Sequence, residues 1–195
     1  MIKIGFVLNP ISGIGGALAM KGSDHLKQAQ ILDHRGYSRA RSKIFIDTLC
    51  DFGSQLTDQI QWVTPEGQMG GGFLEEFGFD YLSSGMAVSR SSGRDTTDAV
   101  VFFQSVNCDL IVFVGGDGTA RNVLEGINSN TPVIGVPAGV KMHSGVFSVT
   151  PDAAARIIES LVSGEIVNLD DGEVRDYVEG IGVQTKRYGE MLVPQ

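Results

Sequence analysis

One aspartate set among glycines carries the clearest chemical signal in the chain. The segment Gly115-Gly116-Asp117-Gly118-Thr119 follows an apolar run, 110–114, whose length and β-branched content predict a strand buried on both faces. The glycines permit a tight turn and a close approach of a ligand to the backbone, with Asp117 expected at the tip of the turn. Thr119 is placed to N-cap the helix that follows.

This arrangement points to phosphate chemistry. The N-terminus of a helix favours a phosphate group, because its first backbone N–H groups have no partner within the helix. A carboxylate at the same place repels phosphate, unless a cation bridges the two or the carboxylate takes a proton. The conflict indicates phosphoryl transfer more than passive phosphate binding.

Two other loops follow predicted strands in the same way. The loop Asn9–Gly16 follows a strand over 2–8, and the loop Pro137–Ser144 follows a strand over 133–136. In open parallel sheets, ligands bind outside the carboxyl ends of the strands. If these strands and 110–114 are parallel neighbours, Asn9, Asp117 and Gly139 meet at one edge of the sheet.

The elements that must position these loops alternate along the chain. Alternating strands and helices up to residue 164 predict a doubly wound α/β domain. The predicted helices cover 37–52, 73–77, about 95–106, 120–128 and 151–163, and the shorter predicted strands lie at 60–63 and 81–82. Asp95, Thr96 and Thr97 are expected to form the cap of the third helix, and Thr150 is expected to cap the last. The first helix has a stripe formed by Ala40, Ile44, Thr48 and Phe52, with Phe45 and Leu49 filling it in.

The pattern changes near residue 165. Strands are predicted at 166–169 and 174–183, separated by a turn at Asp170-Asp171-Gly172 with no helix between them. We therefore expect a nucleotide-binding α/β domain over 1–165. Residues 166–195 are expected to begin a C-terminal all-β domain.

Composition narrows the class of protein. Glycine makes up 26 of 195 residues, about 13%, against a usual ~7%, which indicates many tight turns. The net charge of −8 argues against a general nucleic-acid binder, although a local nest of backbone N–H groups can bind a nucleotide even in an acidic protein.

The cysteines and the apolar runs indicate where the protein is found. Cys50 and Cys108 fit neither a disulfide framework nor a zinc site and are expected to be buried free thiols. Neither a signal peptide nor a membrane-spanning run is recognisable, so we expect a cytoplasmic protein without a membrane partner.

Four sequence blocks together resemble a known family. Gly115–Thr119 resembles the G-G-D-G-T signature shared by NAD kinases and by diacylglycerol and sphingosine kinases, a superfamily similar in fold to phosphofructokinases. Asn9–Gly13 looks like the N-P-x-S-G that opens lipid kinases. The fullest resemblance is to the ATP-NAD kinase-like group, which includes proteins associated with acetoin catabolism. It covers residues 2 to about 165 and rests on the blocks Asn9–Gly16, Lys21–Asp24, Gly115–Arg121 and Pro137–Ser144.

The resemblance implies a kinase. It also implies a C-terminal β domain that continues well past residue 195, so residues 166–195 are expected to be the truncated beginning of that domain. The kinase would transfer the γ-phosphoryl group of ATP, with Mg²⁺, to the 2′-hydroxyl of NAD, and it would form a homo-oligomer as its relatives commonly do. Asp117 matches the aspartate proposed in that family as base or hydroxyl-orienting group, and no protein-held metal site is expected. The residues expected to bind nucleotide or phosphate are Asn9, Ser12, Gly13, Gly115, Gly116, Gly118, Thr119, Gly139 and Lys141.

Several alternatives stay open at the level of sequence. The acceptor could be a sphingoid base, diacylglycerol or another small molecule, although Arg121-Asn122 replaces the Asn-Glu pair of lipid kinases. The donor could be polyphosphate instead of ATP. The chain could also be a nucleotide-binding regulatory protein without turnover. Among single residues, Lys141 is as easily a solvated surface residue as a phosphate contact, and His143 is more easily structural than catalytic.

Overall fold

The computed structural model describes residues 1–12, 36–85, 91–128, 130–139, 142–165, 167–177 and 184–195. The predicted site residues Gly13 and Lys141, and the block Lys21–Asp24, lie outside these ranges. The described part of the chain contains a parallel five-stranded sheet, helices on both of its faces, and an antiparallel hairpin.

The parallel sheet places three strand ends side by side. Its strands are β1 (Ile2–Leu8), β2 (Ile60–Thr64), β3 (Tyr81–Ser83), β4 (Leu110–Gly115) and β5 (Val133–Pro137), in the order β3-β2-β1-β4-β5. Leu8 pairs with Val114, and Gly115 pairs with Pro137. The prediction that β1, β4 and β5 are parallel neighbours is therefore confirmed, as is the α/β fold class.

Helices cover both faces because each strand alternates its side chains between them. The helices are α1 (Gly36–Asp51), α2 (Ser54–Thr57), α3 (Gly71–Glu76), α4 (Gly93–Ser105), α5 (Asp117–Gly126) and α6 (Pro151–Val162). One core cluster joins even-numbered β4 residues such as Val112 to α1 and α6, and the other joins Ile111 and Phe113 to α4 and α5. Period-two alternation on β4 thus serves two cores at once.

Two helix starts follow sequence signals, one as predicted and one two residues early. The Thr150 side chain accepts a hydrogen bond from the Ala153 N–H and caps α6, as predicted. Helix α4 begins at Gly93 instead of Asp95, because the Asp95 carboxylate reaches back to the Ser92 N–H and hydroxyl, both at 2.7 Å. Asp95 is thus the third residue of a capping box and not its cap.

The predicted stripe on α1 is wrong in part. Phe45 and Leu49 are buried, as predicted, but Ile44 is 43% exposed, and the buried face also carries Ser38, Ser42 and Ile46. Two small buried serines allow α1 to lie close to its neighbours, and the Ser38 hydroxyl donates to the Ser12 carbonyl. The spacing of apolar residues alone could not identify this buried face, because two of its members are serines, which such a pattern counts as polar.

The two cysteines differ in their exposure to solvent. Cys108 is buried, as predicted, and burial raises the pKa of its thiol to about 12. Cys50 is exposed near the end of α1, so the prediction of a buried thiol fails there. In the described ranges, no helix is both long enough and apolar enough to cross a membrane.

The hairpin consists of two long strands, β6 (Leu169–Tyr177) and β7 (Thr185–Pro194). The predicted turn at Asp170-Asp171-Gly172 is wrong, because these residues lie inside β6 and pair with β7. Gly172 serves close packing instead: a Cβ there would lie 2.9 Å from Val146 Cγ1. Val174, Met191 and Val193 of the hairpin join the core on the α5 side of the sheet. The domain boundary at 165 stays a prediction.

Candidate functional site

The turn after β4 forms the centre of the candidate site. Gly115 ends the strand, Gly116 is the N-cap residue, and α5 begins at Asp117. A Cβ on Gly115 would lie 2.3 Å from Thr119 Oγ1, so only glycine lets the helix fold back this tightly. Asp117 is therefore the first helical residue and not the tip of a free turn. Thr119, predicted as the N-cap, is a buried residue of the first helical turn.

Thr119 instead connects this turn to the first loop. The Asn9 side-chain amide donates to Thr119 Oγ1 at 2.8 Å, and the Asn9 Oδ1 accepts from the Ile11 N–H at 3.1 Å. The Asn9 backbone N–H also donates to the Val114 carbonyl at 3.0 Å. These bonds fix the direction in which the chain leaves β1. Ser12, 8% exposed, lies at the same place, its Oγ 3.6 Å from a Cβ built on Gly116.

The third loop approaches the same turn. A Cβ on Gly139 would lie 3.2 Å from the Gly116 Cα and 2.9 Å from Met142 Cγ, so two glycines permit this contact between backbones. The Ala138 N–H donates to the Gly115 carbonyl at 2.8 Å. Asn9, Ser12, the 115–119 turn and Gly139 are thus brought together, as the sheet-edge argument predicted.

Asp117 holds the third loop by its carboxylate. The His143 N–H donates to Oδ2 at 2.8 Å, the Ser144 N–H donates to Oδ1 at 3.0 Å, and the Ser144 hydroxyl lies 2.6 Å from Oδ1. Asp117 is only 6% exposed. A carboxylate this deeply buried needs such donors, because burial without them is costly. Asp117 therefore ties the start of α5 to residues 143–144.

The three joined loops lie in a part of the chain that matches a known protein family. A family model described as the ATP-NAD kinase N-terminal domain matches residues 4–166. The chain belongs to this family. The match spans the sheet, its helices and every described predicted site residue, and it confirms the resemblance inferred from the sequence blocks.

Solved structures show more distant likeness. Two chains from Bacillus anthracis strain Sterne, one described as a candidate diacylglycerol kinase and the other as a diacylglycerol kinase, are each 16% identical to this chain, with TM-scores of 0.42 and 0.41. The alignments cover 87% and 90% of this chain but only 44% and 42% of theirs. The chain thus spans less than half the length of these relatives. No curated protein matches it.

Within this NAD kinase-family fold, the hairpin supplies site contacts that sequence reasoning missed. The Arg175 N–H donates to the Ser144 hydroxyl at 2.9 Å, so β6 is joined to the Asp117 cluster. The Tyr177 hydroxyl lies 2.9 Å from His143 Nε2, with the two rings perpendicular. His143 and Ser144 could have been found in the Pro137–Ser144 block, whereas β6 carries no sequence signal for the site.

Arg121 makes a second link between α5 and the hairpin. Its guanidinium donates to Asp176 Oδ2 at 3.1 Å and lies over the Tyr188 ring, 4.2 Å from the centroid. Asp176 Oδ2 lies 4.0 Å from a Cβ built on Gly118, and no closer atom of the described residues lies there apart from the adjoining residues and the backbone of α5. As far as the described residues go, Gly118 therefore faces open space at the start of α5, with Asp176 of the hairpin along one side.

A surface cavity lies away from these loops. Its volume is about 350 Å³, it is bounded by the amino end of β1, and its lining residues are Met1, Ile2, Gln59, Asp109, Leu161 and Val162. It lies at the sheet edge opposite the candidate site. Among the described residues, no three His, Cys, Asp or Glu side chains are grouped so that they could hold a metal ion.

Proposed function

We propose that this chain is the nucleotide-binding part of a kinase that transfers the γ-phosphoryl group of ATP to the 2′-hydroxyl of NAD. The observation that carries the proposal is the meeting of three strand-end loops at the open first turn of α5, in a chain of the ATP-NAD kinase N-terminal-domain family. Family membership supports a kinase of this superfamily. That NAD is the acceptor is the more specific part of the proposal.

The geometry suits phosphoryl transfer because this reaction needs mainly positioning and charge neutralisation. Gly118 leaves room beside the first N–H groups of α5, where phosphate oxygens are favoured. Asn9, Ser12, Gly115, Gly116, Thr119 and Gly139 would shape the phosphate site, with Gly13 and Lys141 as further proposed contacts. Mg²⁺ would arrive bound to ATP, since this ion is held largely by phosphates and water and needs no protein cage.

The hydrogen bonds of Asp117 reduce the repulsion that its carboxylate would exert on a phosphate bound at the start of α5. The Asp117 carboxylate is turned to the donors of residues 143–144 and accepts three hydrogen bonds from them. These hydrogen bonds stabilise its negative charge before any phosphate binds. Asp117 can therefore be required for the reaction while its repulsion of a phosphate at the neighbouring helix turn is reduced.

The test is a direct assay of the purified chain. It is incubated with NAD, ATP and Mg²⁺, and NADP is measured with an NADP-specific dehydrogenase, with Asp117→Asn compared at a temperature where circular dichroism shows it folded. We expect NADP from the parent chain and none from the variant. Asp152→Asn is the matched control, because Asp152 also lies in the first turn of a helix but belongs to none of the three loops.

Parallel assays with diacylglycerol, a sphingoid base and polyphosphate identify another acceptor or donor. Phosphorylation of a lipid without NADP would refute NAD as the acceptor. Tight ATP binding with no product from any acceptor would refute the kinase and favour a regulatory nucleotide-binding protein.

A further inference from the structure

We infer, on the basis of the proposed function, that Arg121 binds a phosphate group of the nucleotide and that Asp176 pairs with its guanidinium until the phosphate arrives. Arg121 thereby joins the phosphate site at the start of α5. The ion pair between α5 and the hairpin becomes a contact that nucleotide binding exchanges.

Arg121 lies on the same face of α5 as the open first turn. It follows Gly118 by three positions and Asp117 by four, the spacings at which side chains of a helix are neighbours. A long side chain in a helix points back towards the N-terminus and covers the turn that precedes its own Cα. Helix geometry therefore directs this arginine towards the N–H groups where a phosphate is favoured.

One carboxylate oxygen connects the guanidinium to the open turn. Arg121 Nη1 donates to Asp176 Oδ2 at 3.1 Å, and the same oxygen lies 4.0 Å from a Cβ built on Gly118. A negatively charged oxygen thus already lies beside the first turn of α5 and within hydrogen-bond distance of an arginine. A phosphate oxygen that takes this position gains the same arginine as a partner.

The described residues leave part of the hydrogen-bonding capacity of Arg121 unused. Its Nε–H is buried, and no described residue accepts a hydrogen bond from it. A buried donor without an acceptor is costly. The fork of N–H groups on a guanidinium binds phosphate through two parallel hydrogen bonds, whereas the contact with Asp176 uses Nη1. A phosphate, with several oxygens, can satisfy more of this group than Asp176 does.

The Tyr188 ring holds the guanidinium independently of the carboxylate. The guanidinium carbon lies 4.2 Å from the ring centroid, a cation–π contact that does not need Asp176. The side chains of Arg121 and Asp176 are 36% and 19% exposed, so their ion pair is open to solvent on one side. Ion pairs of this kind contribute little to stability, so a phosphate can replace the carboxylate at low cost.

The test measures nucleotide binding to the full chain by calorimetry, with adenosine as the ligand that lacks phosphate. Arg121→Gln should weaken binding of the nucleotide by about 10-fold or more, the loss expected for one charge-assisted contact, and should leave adenosine binding unchanged. Asp176→Asn should instead tighten nucleotide binding by about threefold or more, because it removes a competing negative charge and releases the guanidinium.

Matched controls carry the same changes of charge at other places. Arg156→Gln alters an exposed arginine of α6, a helix that packs on the face of the sheet opposite α5. Asp171→Asn alters an exposed aspartate on the same strand as Asp176. Neither control should change the affinity for a nucleotide, and circular dichroism checks that all four variants are folded.

The direction of the two effects separates phosphate binding from a purely structural role. Arg121→Gln and Asp176→Asn break the same ion pair, so a merely structural link between α5 and the hairpin would shift affinity in the same direction in both variants. Opposite directions support phosphate binding by Arg121. A common direction overturns it, and so does unchanged affinity of folded Arg121→Gln for both ATP and NAD.

Parallel titrations with ATP and NAD identify whose phosphate Arg121 binds. A loss of affinity for ATP assigns the contact to the phosphoryl donor, and a loss for NAD assigns it to the diphosphate of the acceptor. If the nucleotides bind as expected but no NADP forms, the proposed kinase fails while the role of Arg121 stands. If the parent chain binds neither nucleotide, both fall.

Discussion

Replacing Asp117 by asparagine should destabilise the fold by about 2–4 kcal/mol, and the reason lies in the donors around its carboxylate. An amide offers one acceptor oxygen, whereas residues 143 and 144 present three donors to two carboxylate oxygens. The better amide orientation keeps its oxygen toward Ser144 and turns its NH₂ group toward the His143 N–H. One charge-assisted hydrogen bond, worth about 1.5–3 kcal/mol, is then lost. The favourable charge at the start of α5 contributes about 0.3–1 kcal/mol more.

Urea denaturation followed by circular dichroism measures this difference. Asp152→Asn is again the control, because Asp152 lies in the first turn of α6 and should lose only the smaller helix-end contribution. Amide hydrogen exchange adds a local readout: the N–H groups of His143 and Ser144 should exchange faster in Asp117→Asn alone. Equal stabilities for the two variants, with unchanged exchange at residues 143 and 144, would show that the carboxylate does not hold the loop.

Three further substitutions, a thiol-labelling experiment and a pH titration test other parts of the structure. Gly115→Ala should cost about 1–3 kcal/mol by overpacking against Thr119, whereas Gly118→Ala should leave stability almost unchanged and weaken ATP binding, as measured by urea denaturation and calorimetry; equal stability losses would contradict this account of the turn. Cys50 should react with a thiol reagent in the native chain, whereas Cys108 should react only on unfolding. Burial raises the pKa of Cys108 from 9.0 to about 12, so its contribution to stability is full below pH 9 and falls as the pH rises toward 12; Cys108→Ala should flatten that part of the stability profile.

The parts of the fold that sequence predicted are those governed by local pattern. Continuous apolar runs ended by glycine or proline identified β1, β4 and β5, and their shared edge followed from the geometry of parallel sheets. The N-cap at Thr150 was equally local, since its side chain bonds a residue three positions away. Such signals depend on neighbours in sequence, so they can be read without the tertiary structure.

The parts that were missed depend on distant residues. Arg121 meets Asp176 across 55 positions, and Ser144 meets Arg175 across 31. Gly172 looked like a turn residue because aspartates precede it, but pairing with β7 and contact with Val146 determine its conformation. Thr119 was predicted to be an N-cap residue, but its hydroxyl oxygen accepts a hydrogen bond from the Asn9 side-chain amide. In each case a tertiary contact overrides a local preference that is worth less.

The Asp117 cluster also explains why the hairpin matters to the candidate site. The carboxylate binds Ser144, and the Ser144 hydroxyl in turn accepts from the Arg175 N–H of β6. Hydrogen bonds that share one hydroxyl are coupled, because moving one partner reorients the others. A displacement of β6 would therefore disturb the loop that carries His143, even though the hairpin contributes no residue to the turn after β4. The same argument makes Ser144→Ala a sharper probe than any change at Asp117: it removes the hydroxyl shared by the carboxylate and the Arg175 N–H and leaves the carboxylate in place. If the loop is held by this chain of bonds, Ser144→Ala should lower phosphoryl transfer while ATP binding persists.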